Sequence, residues 1–160
     1  MYILVSMATK RRASRFRQCA GCICLNLRQT TRAVTQLYDR AFQPHGLRAT
    51  QFQILVFIAN CGPIHISDLA DRLVMDRTTL TRDLGPLKKR GWVRVRSGQD
   101  RRTRSVTLTA DGWRLLEQAL PTWEKTQAQV VERLGGGRLG PLLHELSAAV
   151  SIARGAGGGG

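Results

Sequence analysis

Three of the four cysteines lie within six positions, in the stretch CAGCIC from residue 19 to residue 24. A tetrahedral zinc needs four ligands, and no fourth cysteine or histidine lies nearby. Three thiolates could instead bind a soft ion such as copper(I) or arsenite, or a thiolate could be oxidised. Free cysteines also pack as small hydrophobic residues. The spacing leaves these uses open, so Cys19, Cys22 and Cys24 are candidate redox sensors, and no resident metal is predicted.

A second group of side chains that could bind a ligand lies in RTTLTRDLGPLKK, residues 77–89. Leu80, Leu84 and Leu87 recur at helical spacing and predict a buried stripe opposite a polar, cationic face. Arginine can bind guanine O6 and N7 together, and threonine offers a hydroxyl and a methyl to bases. The alternative is an ordinary solvated face. We predict a helix that enters the DNA major groove, with these candidate contacts: Arg77, Thr78, Thr79, Thr81, Arg82 and Lys89.

The stretch QDRRTR, residues 99–104, crowds three arginines around one carboxylate. A turn of this composition can insert an arginine into the narrow minor groove, where the potential of DNA is most negative. Asp100 would orient Arg101 or Arg102 by a bidentate hydrogen bond, and Arg104 would add a further cation. The alternative is a solvated loop with a surface ion pair, which would contribute at most about 1 kcal/mol.

The helices that position these groups are predicted from the helical spacing of apolar residues. It predicts a first helix over residues 25–42, followed by a short apolar helix for which Thr50 suits the N-cap. Ser67 is the expected cap of a third helix, and Asp76 is the expected cap of the candidate DNA-reading helix.

The apolar pattern changes to alternation in WVRVR, residues 92–96, and in SVTLT, residues 105–109. Alternation with an intervening polar loop predicts a two-stranded hairpin with a basic tip. Helical spacing then returns and predicts two more helices, over residues 110–134 and 139–153, joined by the glycines at 135–137.

The chain has 160 residues and a formal net charge of +14, with 25 Lys and Arg against 11 Asp and Glu. That length suits one compact domain. The excess positive charge favours a polyanionic partner, nucleic acid before a membrane surface. The first seven residues are too short for a signal peptide's apolar region, and no stretch is apolar enough to span a bilayer. We therefore expect a cytoplasmic protein without a membrane partner.

Two short helices joined by a tight turn and followed by a basic hairpin predict a winged helix-turn-helix. The segments ISDLADRL, DRTTLTRDLGPLKKRGWV and DRRTRSVTLTADG closely resemble the MarR family of bacterial regulators. The resemblance covers about residues 20–152. It implies double-stranded DNA as the partner, a recognition helix bearing residues 77–82, and a wing in which Asp100 holds a minor-groove arginine, Arg101 or Arg102.

The same resemblance implies a homodimer on a palindromic operator, with recognition helices about 34 Å apart. The terminal helices also carry more Leu, Val and Trp than one small domain can cover. We expect a mainly α fold with a small β-hairpin wing and an α-helical dimerisation region formed by the terminal helices. The predicted organisation is a flexible basic arm (1–18), a dimerisation helix (19–48), a winged helix-turn-helix (49–109), C-terminal dimerisation helices (110–154) and a disordered glycine tail (155–160).

The cysteine stretch also bears on this resemblance. Organic-peroxide sensors of the family, of the OhrR type, carry a reactive cysteine near the start of the first helix, which is the place of Cys24. Tyr38 matches a tyrosine of those sensors, whereas Arg28 stands where another is expected. The family further implies a small-molecule effector between the DNA-reading part and the dimer helices. We therefore expect a repressor released by a small molecule or by oxidation, with no cofactor.

Two other classes of protein compete with this interpretation. A non-specific nucleic-acid-binding protein would also use the charge of +14, but the winged arrangement and the scarcity of aromatics for base stacking argue against it. A thiol oxidoreductase would place its C-x-x-C motif at a strand-to-helix turn of a βαβ unit, and no such pattern exists here. The sequence therefore does not indicate an enzyme.

Overall fold

The computed structural model describes residues 16–97 and 104–156, which form six α-helices and a three-stranded antiparallel sheet. In chain order the helices are α1 (Ile23–Phe42), α2 (Ala49–Cys61), α3 (Ile66–Arg72), α4 (Arg77–Lys89), α5 (Ala110–Leu134) and α6 (Leu139–Ala156). The strands are β1 (Ile64–His65), β2 (Val93–Ser97) and β3 (Arg104–Leu108). The predicted order of helices and hairpin is confirmed. The predicted arm up to residue 15 and the tail from residue 157 lie outside the described residues.

The N-terminus of α2 differs from the prediction of a cap at Thr50, which is wrong. Arg48 is the N-cap residue, and Thr50 lies inside the helix. The Arg48 N–H donates to Gln51 Oε1 at 3.1 Å, and the Ala49 N–H donates to Asp39 Oδ1 at 2.8 Å. Because these side chains satisfy donors that a helix end leaves free, the helix begins one residue before Thr50.

The sheet contains a strand that the sequence did not predict. β1 is only two residues long and pairs with β3, placing Ile64 opposite Val106, so the strand order is β1-β3-β2. The predicted two-stranded hairpin is therefore present as β2 and β3, and β1 extends it to a three-stranded sheet. Since β1 runs directly into α3, His65 occupies the N-cap position and Ser67 lies within the helix. The predicted cap at Ser67 is wrong for this reason.

The core lies between α2, α3, α4, α5 and the sheet, and Phe42 at the end of α1 packs into it. Its largest fully buried side chains include Leu55 of α2, Leu69 of α3, Leu80 and Leu87 of α4, and Val106 of β3. Full burial of such side chains stabilises the fold by roughly 1.5–3 kcal/mol each. The leucine stripe of α4 therefore fixes which face of that helix points to solvent.

The last two helices leave much apolar surface uncovered. α5 has the predicted bounds, and α6 runs three residues beyond its predicted end. Gly135 and Gly137 have φ values of 95° and 79° in the joint between them. The exposed large apolar side chains of these helices are Trp113, Leu120, Trp123, Leu142, Leu143, Leu146, Val150 and Ile152. Among the described helices, none is long and apolar enough to cross a membrane.

Candidate DNA-binding surface

The start of α4 is fixed by its N-cap. The Asp76 carboxylate accepts a hydrogen bond from the Thr79 N–H at 2.8 Å, which confirms the predicted cap. Hydrogen bonds from the Thr79 side chain and backbone hold the pKa of Asp76 below its ordinary value, because they favour the charged carboxylate. A carboxylate also interacts favourably with the positive end of the helix dipole.

The outer face of α4 carries the predicted DNA-reading side chains. Leu80, Leu84 and Leu87 are buried on the inner face. The exposed residues are Arg77, Thr78, Thr81, Arg82, Gly85, Pro86, Lys88 and Lys89. The side chain of Arg82 is 77% exposed, with its Nε 3.8 Å from Asp83 Oδ1. An exposed pair at that separation contributes little, so the Arg82 guanidinium remains accessible to a ligand.

Two of the threonines are partly engaged within the helix. The Thr81 hydroxyl donates to the Arg77 carbonyl at 2.7 Å, so its oxygen lone pairs and its methyl remain for an external contact. Thr79 is half-buried and its N–H is used by the cap. Thr78 is exposed in the first turn. The N-terminal half of α4 therefore offers Thr78 and Thr81 to an external ligand more directly than Thr79.

The turn between α3 and α4 contains a strained residue that the sequence analysis missed. Val74 has a φ of 55° and a 59% exposed side chain. β-Branched residues rarely adopt this left-handed conformation. The Val74 N–H donates to the Asp71 carbonyl at 3.2 Å, and the Met75 N–H donates to the Ala70 carbonyl at 2.9 Å. These bonds hold the tight turn that sets α4 against α3.

The wing strands add cations that were not assigned from the sequence. Val93 is buried and Val95 half-buried, whereas Arg94 and Arg96, which alternate with them, are exposed. The alternation in WVRVR could have predicted this exposure, because it places both arginines on one side of the strand. Arg104 is half-buried and pairs with Ser97 at the far end of the hairpin.

The predicted wing-tip residues Asp100, Arg101 and Arg102 lie outside the described residues. Within the described part, β2 and β3 run antiparallel and lead the chain into and out of residues 98–103. The two strands that flank residues 98–103 in the sequence are therefore paired as the hairpin prediction requires.

The cysteine stretch lies at the start of α1. Cys19 belongs to a 3-10 turn, Arg17–Gly21, which includes the last two residues of the predicted arm. Cys22 is the N-cap residue of α1 and Cys24 lies in its first turn. All three are free and exposed. In the part of the chain that the structure describes, no group of three or more His, Cys, Asp or Glu residues is arranged to hold a metal ion.

A cavity of about 310 Å³ lies between α1, α2 and α5, away from the outer face of α4. The Tyr38 hydroxyl on its wall donates to Gln127 Oε1. Burial raises the pKa of Tyr38 above its ordinary value, because desolvation disfavours the phenolate. The family resemblance implied an effector between these parts of the fold, but no lining residue was predicted from the sequence.

Comparison with known proteins agrees with this geometry. The family model described as MarR family matches residues 45–103, which include α4 and β2. The HTH-type transcriptional regulator SarZ of Staphylococcus haemolyticus is 33% identical over 111 residues, covering 69% of this chain and 73% of that protein. The chain belongs to the MarR family. The family resemblance drawn from the sequence is confirmed.

Solved structures extend this result to nearly the whole fold. The M. tuberculosis transcriptional regulator MosR, in complex with DNA, is 38% identical with a TM-score of 0.73, and the match covers 83% of this chain and 98% of that one. A cysteine-to-serine mutant of E. coli MarR complexed with operator DNA has a TM-score of 0.74 at 23% identity, covering 84% and 96%, which shows a shared fold. This MarR-family protein is therefore a DNA-binding transcriptional regulator, a non-enzymatic class, with the predicted winged helix-turn-helix fold.

Proposed function

We propose that the protein is a homodimeric repressor that binds a palindromic operator and is released by a small molecule or by oxidation. The observation that carries this proposal is the outer face of α4, where accessible threonine, arginine and lysine side chains are backed by a buried leucine stripe. A rigid helix with such a face suits the major groove.

Base reading is assigned chiefly to Arg82, with Arg77, Thr78 and Thr81 beside it. The exposed guanidinium of Arg82 suits bidentate binding of guanine. Lys89 and the half-buried Thr79 lie where phosphate or base contacts are expected, near the end and the start of α4. Phosphate contacts fix the position of the protein, and base contacts select the sequence.

The wing is assigned to the neighbouring minor groove. Asp100 would orient Arg101 or Arg102 into that groove, as expected for a minor-groove arginine. Arg94, Arg96 and Arg104 would bind backbone phosphates, since Arg94 and Arg96 are exposed along β2 and Arg104 begins β3. Each such contact adds salt-dependent affinity without sequence preference.

The homodimer is proposed from the apolar surface of the terminal helices. Leu142, Leu143 and Leu146 lie along α6 and are 38–52% exposed. Contiguous exposed apolar surface marks an interaction site in a folded protein. A second copy of this chain would cover these side chains and place two recognition helices about 34 Å apart, one turn of duplex.

DNA binding is tested by fluorescence anisotropy with labelled promoter DNA from beside the protein's own gene. Arg82→Ala should weaken specific binding by about 1–3 kcal/mol and relax base preference at one or two positions. Arg133→Ala, which removes an exposed arginine from α5, is the matched control and should leave binding nearly unchanged. Equal losses in both variants, or equal binding to random DNA, would indicate a non-specific nucleic-acid-binding protein instead.

The oxidative signal is tested at Cys24 by the same assay after mild peroxide treatment. An exposed thiol in the first turn of α1 is accessible to an oxidant. Peroxide should reduce operator affinity, thiol reductant should restore it, and Cys24→Ser should abolish the response. Cys61→Ser, which removes the half-buried thiol of α2, is the control. An undiminished response in Cys24→Ser would assign the sensor to Cys19 or Cys22, and no response in the unmodified protein would leave only a small-molecule signal.

A further inference from the structure

The C-terminal end of α6 is bonded to the turn of the helix-turn-helix. The Arg154 guanidinium, in the last turn of α6, donates a hydrogen bond to the carbonyl of Asp71, 83 residues earlier in the chain. That carbonyl also accepts the Val74 N–H at 3.2 Å, within the tight turn that leads into α4. A side chain of a terminal helix is thus bonded to the backbone that sets the start of the recognition helix.

A groove beside this hydrogen bond brings the same turn against two terminal helices. It has a volume of about 420 Å³ and is lined by Leu27, Thr31, Val74, Leu146, Ala149, Val150, Ala153 and Arg154. Among the described residues, Val74 is its only wall from the DNA-reading part, and the others belong to α1 and α6. Because the side chain of Val74 is 59% exposed, it packs only partly against these helices. The hydrogen bond from Arg154 therefore carries much of the restraint on the turn.

The other end of α6 begins at the glycine joint, residues 135–137. Glycine has the greatest backbone freedom of all residues, so the joint alone does not fix the direction of α6. Contacts along the helix must fix it instead. The exposed leucines of α6 are the side chains that a second copy would cover, whereas Arg154 reaches the turn before α4. This helix therefore links the proposed dimer contact to the DNA-reading part.

We infer that Arg154 is a positioning residue for operator binding, which fixes the orientation of α4 relative to the terminal helices without contacting DNA itself. The inference rests on the proposed homodimer, because the orientation of each α4 determines the separation of the two recognition helices. Without the bond, a smaller fraction of the free dimer has the orientation that fits the operator, and the apparent affinity falls by that fraction. Affinity for a site of the wrong spacing does not fall, since the fixed orientation does not fit that site.

The test measures affinity by fluorescence anisotropy on two DNA duplexes. One carries the operator mapped by footprinting in the promoter, and the other has one base pair inserted at its centre, which moves the half-sites about 3.4 Å further apart. Arg154→Met should weaken binding to the natural duplex about fivefold, the effect of one hydrogen bond, and leave binding to the lengthened duplex unchanged. The ratio of the two affinities should fall by the same factor. A loss of stability alone would weaken binding to both duplexes equally.

Two variants control for the loss of a positive charge. Arg138→Met removes an exposed arginine just before α6, whose guanidinium donates locally to the Leu134 carbonyl at 3.5 Å, and it should leave the ratio unchanged. Arg154→Lys keeps the charge and a donor for the Asp71 carbonyl, and it should restore most of the ratio.

A second measurement needs no DNA. Amide hydrogen exchange of the full-length protein, followed by mass spectrometry, should become roughly threefold faster or more in the peptide covering residues 70–76 of Arg154→Met, because the turn opens more often. A peptide from α2 is the internal reference. Unchanged exchange in the turn, an unchanged affinity ratio, or an equal fall of the ratio in Arg138→Met would each overturn the inference. If the unmodified protein ignores the inserted base pair, the proposed palindromic operator fails, whereas the exchange still decides whether Arg154 holds the turn.

Discussion

Gly112 lies in the first turn of α5, where this helix crosses the start of β2. A Cβ atom at this position would lie 2.1 Å from the carbonyl oxygen of Trp92 and 3.3 Å from Leu108 Cδ2. That carbonyl cannot easily move away, because it accepts the Thr109 N–H at 3.1 Å. Thr109 also caps α5 by accepting the Gly112 N–H at 3.1 Å. We therefore expect Gly112→Ala to push the helix away from the wing.

The size of the effect follows from three contributions. Replacing glycine by alanine inside a helix ordinarily stabilises it by about 1 kcal/mol. Overpacking of a buried site costs typically about 1–3 kcal/mol, and a 2.1 Å approach to backbone belongs at the upper end of that range. Weakening the hydrogen bonds around Thr109 costs about 1 kcal/mol more. The net prediction is a destabilisation of about 3 kcal/mol, opposite in sign to the change expected from helix propensity.

The assay is urea denaturation followed by circular dichroism, at one fixed protein concentration because association would shift the midpoint. Gln118→Ala, at an exposed position of the same helix, is the control and should change stability by no more than about 0.5 kcal/mol. If Gly112→Ala proves as stable as the unmodified protein, the close approach of α5 to the Trp92 carbonyl is not a constraint and the reasoning fails.

Three further predictions concern the segments around α4. Asp76→Ala should lower stability at pH 7, because it removes the carboxylate that caps α4. The cap lowers the pKa of Asp76, so its contribution is lost when the carboxylate protonates, and the difference from the unmodified protein should shrink as the pH falls below about 4. Urea titrations at several pH values measure this difference. Val74→Asn should stabilise the protein by about 1 kcal/mol in the same assay, because asparagine tolerates a positive φ. Arg90→Met removes the hydrogen bond to the Gly46 carbonyl and should lower the unfolding free energy by about 1 kcal/mol.

The sequence predicted the helices well where the apolar spacing was long and regular. The stripe Leu80, Leu84 and Leu87 is buried as predicted, and it also determined which face of α4 is exposed. The bounds of α5, Ala110–Leu134, agree with the prediction at both ends, because Thr109 supplies a cap and Gly135 ends the helix with a φ of 95°. In these places local propensity and tertiary packing favour the same structure.

Features that depend on partners distant in the chain could not be predicted. β1 exists because Ile64 pairs with Val106, and two residues are too short to show alternation. The cap at Thr50 was wrong because Asp39, ten residues before Ala49, supplies the competing hydrogen bond. No local sequence pattern predicts either contact, because both form only when distant parts of the chain come together.

The outer face of α4 and the cavity differ in the same way. The outer face of α4 is formed by one helix, so its residue types and spacing indicated a nucleic-acid ligand directly. The cavity combines Tyr38 of α1, Gln53 of α2 and Trp123 of α5, so its lining is decided by the packing of three helices. The absence of a charge from its described walls becomes visible only when these helices are brought together.

The segment that follows α1 connects these two sites physically. Phe42 ends α1 and lines the cavity. In the turn after it, His45 Nε2 lies 2.9 Å from Thr122 Oγ1 of α5, and the Gly46 carbonyl accepts a hydrogen bond from Arg90, the residue that follows α4, at 2.7 Å. A ligand that displaces Phe42 would therefore act on the same short turn that Arg90 holds. Because linkage is reciprocal, an effector that weakens operator binding through this turn must itself bind more weakly, by the same factor, when the operator is bound.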